Sequence, residues 1–488
     1  MKDVVLSIDQ GTTGSTALLL DKNVQVVASS NVEFPNHYPK PGWVEHDVGE
    51  IWESVCQAIR SALTQAGPVR IVSIGITNQR ETVLFWDKKT GEPIHRALVW
   101  QDRRTADRCQ ELRSAGHSDE VKKKTGLVLD PYFSGTKAEW LLDHVDGARE
   151  MAAQGDLLFG TIDTWLIWRL TGAHVTDPSN ASRTLLFNIK TLDWDSDMLA
   201  LLNVPKACLP TVVDNSGVVG HTKGISFIED GTPVSGMAGD QQAALFGQAC
   251  FAAGMAKCTY GTGAFVLMNT GNDVVYSNHG LLTTVAWRLN GTVSYALEGS
   301  AFIAGAAVQW LRDNLQIISK AAEVEALART VSDNGGVSFV PAFAGLGAPH
   351  WDPEARGLFH GITGGTQRGH IARAVLEGVA MQIVDILNAM NADSLTPLAQ
   401  LRVDGGMAKN ELLMQFQSDV LNVPCLRPSV LETTALGSAF LAGLGVGFWS
   451  STEAISSAWR LSHSFEPQLT SEERAIHQKQ WSHAVAKA

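Results

Sequence analysis

Cysteine is scarce and scattered: Cys56, Cys109, Cys208, Cys250, Cys258 and Cys425 form no CxxC pair and stand in no Cys/His cluster at zinc-ligand spacing. That excludes a disulfide scaffold and a structural zinc site, and it points to a reducing compartment. No block of Lys and Arg occurs, and 38 basic against 50 acidic residues leave a net charge of -12. Such a balance excludes a nucleic-acid partner, whose phosphates need a basic face, but not ATP, whose charge is met by magnesium and backbone amides. Long apolar runs are also missing. The most membrane-like one, Ala439 to Trp449, is Gly-rich and well short of the ~20 residues a span needs. The opening Met1-Lys2-Asp3 runs straight into a short strand, so no secretory leader and no membrane insertion are expected, and the protein is expected to be cytoplasmic. No Pro- or Ser-rich linker and no low-complexity tract divides the chain, so any domains should pack closely around a cleft.

What is present is an ordinary globular composition, 45% hydrophobic and 18% charged, over 488 residues. That length exceeds one hydrophobic core, so two large domains are expected, with a boundary near Phe251 to Gly254 that gives 1–250 and 251–488. The most telling segment comes first. An apolar strand, Val4 to Ile8, breaks into Asp9-Gln10-Gly11-Thr12-Thr13-Gly14-Ser15 and resumes as Ala17 to Leu20. The turn joins strand to strand and no Lys follows the glycines, so it is not a Walker-type loop. The pattern recurs at Lys257 to Leu267 around Gly261-Thr262-Gly263. Two glycine and hydroxyl turns on two halves suggest a nucleotide clamped between duplicated domains, amides and hydroxyls wrapping its phosphates.

Other elements follow from periodicity and punctuation. Val24 to Ala28 reads as a third strand of the opening meander. Asp47 with Glu50 reads as a capping box for a helix carrying Ile51, Val55, Ile59 and Leu63 and stopping at Gly67-Pro68. Ile71 to Ile76 is a buried strand ending in Thr77-Asn78-Gln79-Arg80-Glu81, well placed for a ligand crevice. Pro233 to Gly239 leads into Asp240 and a small-residue helical stretch through Phe246 to Ala253, and Leu401 to Asp404 enters Gly405-Gly406 before an amphipathic helix from Asn410. The tail beyond Ser464 is polar and carries no signal.

Phosphoryl transfer asks for an in-line nucleophile, neutralised phosphate charge and a carboxylate to accept the hydroxyl proton. Asp9, at a strand end beside the phosphate turn, is assigned to magnesium through water, and Asp240 suits a base aimed into the cleft. Local sequence equally allows Asp240 as a helix N-cap and Asp9 as a turn former. Arg80 and Glu81 could bind adjacent hydroxyls with their charges cancelling, or form a structural ion pair. Trp100, Tyr132 and Phe265 offer apolar walls, although most of the 14 Trp must simply pack cores.

Longer stretches carry a resemblance: Tyr38 to Asp47 (YPKPGWVEHD), Gly75 to Thr82 (GITNQRET), Asp130 to Lys137 (DPYFSGTK), Ala238 to Gly247 (AGDQQAALFG) and Leu413 to Asp419 (LMQFQSD). Together with Tyr132 to His144 and Gly357 to Glu377, which look like two family signatures, they make the chain resemble the FGGY family of carbohydrate kinases from Val4 to about Trp449. The resemblance implies an α/β fold of two duplicated actin-like, ribonuclease-H-like domains flanking a cleft, and transfer of the ATP γ-phosphoryl to a terminal hydroxyl of glycerol with Mg2+ as the metal. It implies that the polyol meets Arg80, Glu81, Trp100, Tyr132, Asp240, Gln241 and Phe265, with Asp240 as base. It places the nucleotide on Thr12, Thr13 and Gly14 from one domain and Thr262, Gly305, Gln309, Gly406 and Asn410 from the other.

Family members often carry Ser and Arg where this chain has Gly14 and Thr16, so a hydroxyl and a cation are missing from the first loop and nucleotide affinity or rate should differ. Some bacterial members bind fructose 1,6-bisphosphate through an Arg at the position of Gly231, and others are activated through a His at that of Ser226; neither control is expected here. A kinase for a larger sugar or polyol such as xylulose or gluconate, and an actin-like ATPase, are the competing readings, since fold alone does not decide function. Oligomeric state, a homo-oligomer included, is left open.

Overall fold

The computed structural model describes all residues, 1–488. Two mixed sheets repeat one plan. In the first, the strand order is Ser216–His221, Pro233–Gly239, Val69–Asn78, Lys2–Gln10, Gly14–Asp21, Val26–Glu33. In the second it is Leu282–Leu289, Thr292–Ala301, Ala264–Gly271, Ala256–Tyr260, Leu401–Asp404, Cys425–Pro428, Leu461–Phe465. Each sheet is centred on a hairpin whose first strand also pairs in parallel with a later strand, Lys2–Gln10 with Val69–Asn78 and Ala256–Tyr260 with Leu401–Asp404. A parallel partner requires a crossover, and the apolar central strands allow helices on both faces. The helix Val48–Ala66 supplies one such cover, burying Ile51, Val55 and Ile59 against the first sheet. In the second half, Arg368–Asp393 buries Val375, Val379, Ile383 and Ile386.

The halves are not separate packages. Thr433–Gly445, from the second half of the chain, lies against Asp240–Gly247 and against strands of the first sheet. It approaches so closely that a Cβ on Gly437 would stand 1.8 Å from the Ala243 carbonyl oxygen, and one on Gly247 1.9 Å from that of Thr433. One buried cluster joins Val5, Leu18 and Leu20 of the first sheet with Leu267, Ala286 and Ala296 of the second through Phe440 and Leu441. Ala439 to Ala442 and Trp449 of the most apolar run are therefore core, and no helix is long and apolar enough to cross a membrane.

Four local expectations are corrected. The third strand runs Val26–Glu33 rather than Val24 to Ala28, because Val24 takes a positive φ of 61° in the turn before it. Asp47 caps its helix by accepting from the Gly49 and Glu50 amides, but the Glu50 carboxylate turns to His37 Nε2 at 2.8 Å, so no reciprocal box forms. The helix opened by Asp240 ends at Gly247, and Ala249 with φ 50° starts the way out. The tail forms the helix Ser471–Val485, anchored by buried Trp481, whose Nε1 donates to Asp385 Oδ2 at 2.7 Å.

Candidate active site

Three strand ends share one edge of the first sheet. The parallel register pairs Gln10 with Asn78 and Asn78 with Gly239, so Asp9, the Gln79 to Glu81 segment and Asp240 emerge side by side. Carboxyl ends of parallel strands are where open α/β sheets bind ligands. Asp240 begins the helix Asp240–Gly247, and Gly239 rather than Asp240 is its N-cap residue. Asp240 Oδ1 accepts from the Gln241 amide at 2.7 Å and lies 3.1 Å from Arg80 Nε, while Oδ2 is left without a partner. The side chain is 30% exposed, as a group facing a cleft should be.

Asp9 stands near this second carboxylate. Burial first, and the charge of Asp240 second, push Asp9 up to about 7. Asp240 is already held by Arg80, but Asp9 has no cationic partner, and two neighbouring acids of this kind are suited to a hard divalent ion. No group of three or more acidic, His or Cys side chains gathers there. Mg2+ commonly takes one or two carboxylates and fills its octahedron with water and phosphate oxygens, so this donor set fits it.

Arg80 and Glu81 do not form the simple pair read from the sequence. Arg80 Nε is 3.8 Å from Glu81 Oε1, whereas its two terminal nitrogens grip Glu298, Nη1 to Oε2 at 2.6 Å and Nη2 to Oε1 at 2.9 Å. Arg183 completes the cluster, donating from Nε to Glu81 Oε1 at 2.7 Å and from Nη2 to Glu298 Oε1 at 3.0 Å. Two cations and two anions, all buried, thus cancel, as a site for an uncharged ligand requires. Burial alone would raise Glu298, but Arg183 and Arg80 outweigh it and hold that carboxyl at about 2. Glu81 is also conformationally unusual. Its φ is 64°, and the Thr82 amide donates to the Arg80 carbonyl at 2.7 Å, closing a three-residue turn around it. This rare positive-φ turn aims Arg80 and Glu81 apart while keeping both in the site.

The aromatic residues meet the turn and the cluster. Trp100 Nε1 donates to Thr12 Oγ1 at 2.9 Å, and its ring stands edge to face with Tyr132 at 5.6 Å. The Tyr132 hydroxyl lies 3.4 Å from Arg80 Nη2. Gln241 Oε1 accepts from Lys257 Nζ at 2.5 Å, and the same ammonium reaches the carbonyl of Phe265 at 3.4 Å. Burial lowers Lys257, the first of several influences on it.

Each glycine turn is closed by a backbone hydrogen bond of 2.9 Å, but the first spans four residues, Gly11 N donating to Gly14 O, and the second three, Gly261 N donating to Gly263 O. Thr12 and Gly14 are half-buried, and Thr13 and Thr262 exposed. Thr16 Oγ1, on the strand that leaves the first turn, accepts at 2.9 Å from Nδ2 of Asn31, its partner on the neighbouring strand Val26–Glu33. Thr262 O accepts from the amides of Ala304 and Ala306, which brings Gly305 against the second turn; a Cβ there would meet Gly261 O at 2.6 Å. The same Cβ would be 3.6 Å from Met407 Sδ, so the Gly405-Gly406 corner is a neighbour, and the Gly406 Cβ position faces open space. Gln309 is exposed one turn along Gly305–Asp313. Asn410 is the N-cap of Glu411–Leu421, its Oδ1 accepting from Leu413 N at 2.9 Å, which leaves its amide nitrogen for other contacts.

Sequence reading missed Arg183, Glu298, Gln242 and Lys257. A lone Glu directly after the apolar Tyr295 to Leu297 run and a lone Lys beginning the second hairpin were signals, but only the fold shows their partners.

Duplicated sheets, strand ends converging on two carboxylates and paired glycine turns make a two-lobed molecule of the ribonuclease-H-like, actin-like fold class. The chain belongs to the FGGY family of carbohydrate kinases: the family's N-terminal domain matches residues 4–247 and its C-terminal domain residues 256–446. Among similar proteins are glycerol kinase 2 of Thermotoga maritima, 58% identical over 99% of this chain and 98% of its own length, and glycerol kinase of Myxococcus xanthus, 58% identical over 99% of both. A crystal structure of Plasmodium falciparum glycerol kinase with ADP superposes with a TM-score of 0.94 at 39% identity, covering 100% of this chain and 98% of that one. Gluconate kinase from Lactobacillus acidophilus, at 24% identity and TM-score 0.90 over 100% of this chain and 98% of that one, shares the fold.

Proposed function

We propose that this chain is an ATP-dependent kinase that phosphorylates a terminal hydroxyl of glycerol, giving sn-glycerol 3-phosphate and ADP. The observation that carries the reading is 58% identity, over nearly the whole length of both chains, to relatives named glycerol kinase. The site supports it chemically, with a charge-balanced cluster, a free carboxylate oxygen and aromatic walls on one strand-end edge.

In the reaction, Arg80, Glu81, Tyr132 and Gln241 hold the polyol hydroxyls, and Trp100 and Phe265 flank its carbons. Asp240 takes the proton from the terminal hydroxyl as that oxygen bonds to the γ-phosphorus and the bond to the β,γ-bridging oxygen breaks, releasing ADP. The nucleotide lies between the turns, on Thr12, Thr13 and Gly14 and on Thr262, Gly305, Gln309, Gly406 and Asn410. Asp9 would hold Mg2+, which when bound supplies charge neutralisation on the phosphates. We divide the chain at 1–250 and 251–488, and place it in the cytoplasm, whose reducing conditions suit six free, buried thiols.

The test is ATP consumption with glycerol, with xylulose, with gluconate and with no acceptor. Glycerol should accelerate it ~10²-fold or more over no acceptor, the size of a positioned base's contribution. Equal rates without any acceptor, or a preference for xylulose or gluconate, would overturn the assignment.

A further inference from the structure

We propose that Glu298, carried by the second lobe, is a positioning residue for polyol binding in the first: it fixes the Arg80 fork directly and the Glu81 carboxylate through Arg183. The inference rests on the polyol reading above. Glu298 sits in the strand Thr292–Ala301 of the second sheet, whereas Arg80, Glu81 and Arg183 belong to the first half of the chain. Its side chain is buried and its hydrogen bonds go to guanidinium groups, two on Oε1 and one on Oε2, so its reach toward the site runs through Arg80 and Arg183.

A guanidinium has five N–H donors in a rigid plane. On Arg80, two go to Glu298, one to Gln242 Oε1 at 3.2 Å, one toward Asp240 and one to the Tyr132 hydroxyl at the long distance of 3.4 Å. The bidentate grip thus turns the plane so that only its Asp240 and Tyr132 side can be offered to a hydroxyl. Without that grip, Asp240 becomes the nearest anion to the Arg80 fork. A flexible stem would let the guanidinium close on it and occupy the place of the polyol. Arg183 would lose one of its two carboxylate partners at the same time, loosening Glu81. The second lobe thereby shapes a subsite in the first, through an ion cluster instead of a substrate contact.

Steady-state kinetics of Glu298→Gln, varying glycerol and ATP separately, test this. The expected result is a KM for glycerol raised roughly 10-fold to 100-fold, the range lost charge-assisted hydrogen bonds give, with the KM for ATP unchanged within about twofold. Glu298→Asp keeps the charge but shortens the reach, and its KM for glycerol should fall between wild type and Glu298→Gln. A purely structural role would instead lower the active fraction, and so the apparent kcat, at unchanged KM for both substrates; that result overturns the inference. Should Glu298→Gln not fold, Glu298→Asp decides, and an unaltered KM for glycerol in it is equally fatal. Wild-type protein that fails to phosphorylate glycerol would instead overturn the functional reading on which the inference rests.

Discussion

Asp240 and Asp9 lie near one another at the strand-end edge, yet the mechanism proposed above gives them different work. Asp240 has one oxygen tied to Arg80 and the Gln241 amide and one free, the arrangement of a base whose orientation is fixed. Asp240→Asn keeps the shape and removes the basicity. It should lower kcat by ~10²-fold to 10⁴-fold while ADP binding, measured by calorimetry, stays within a few-fold of wild type. Normal turnover would remove Asp240 from the mechanism. Burial and the charge of Asp240 raise Asp9 to about 7. Between about pH 4 and that value the folded, ligand-free protein holds a proton that the unfolded chain has released, so stability falls as pH rises through this window. Ligand-free Asp9→Asn should therefore have a higher Tm than wild type at about pH 8, with the gain shrinking toward about pH 5. The same proton competes with the metal, so the magnesium concentration for half-maximal activity should rise on acidification from about pH 8 to about pH 6, by no more than about tenfold per unit. A flat metal requirement across that range would argue that Asp9 is not the metal-facing acid.

At the scale of elements, the positions of the two central helices depend on residues without side chains. Thr433–Gly445 and Asp240–Gly247 touch at Gly437 and Gly247, where backbone carbonyl oxygens occupy the Cβ positions. Gly437→Ala has no flexible neighbour to displace and must push apart the helix that begins with Asp240. It should destabilise the protein by ~3 kcal/mol or more in denaturant titration and lower kcat in whatever remains folded. Wild-type stability would mean that the helices separate freely. The Gly405 corner is similarly constrained, with φ 85° and a Cβ position 2.5 Å from Tyr260 O. Hairpins, the Asp240 helix start and the helix behind Asp47 were legible because each is written in local periodicity or punctuation. The turn at Glu81 was not, because nothing in Gln-Arg-Glu-Thr announces a positive φ that surrounding contacts impose.

For the whole molecule, the lobes are joined by a shared apolar core and by buried ion pairs, so they should respond together. Glycerol and ADP added at once should raise Tm by more than the sum of their separate shifts, since closing around one ligand lowers the ordering cost of the next. Additive or smaller shifts in a thermal scan would show that the subsites bind independently.

The sequence by itself determined the strands of the two hairpins and the buried strands beside them, the helices that start at Asp47, Asp240 and Asn410, the duplicated glycine turns, the absence of a membrane-crossing helix and, through its resemblance, the family. These are local or near-local properties, set by hydrophobic period and turn chemistry within a few dozen residues. Only the tertiary structure decided which charges meet: Arg80 with Glu298 and Glu81 with Arg183, partners 218 and 102 residues apart. Burial makes such pairings obligatory without specifying them in advance, because an uncompensated buried charge is costly and any opposite charge the fold delivers can satisfy it.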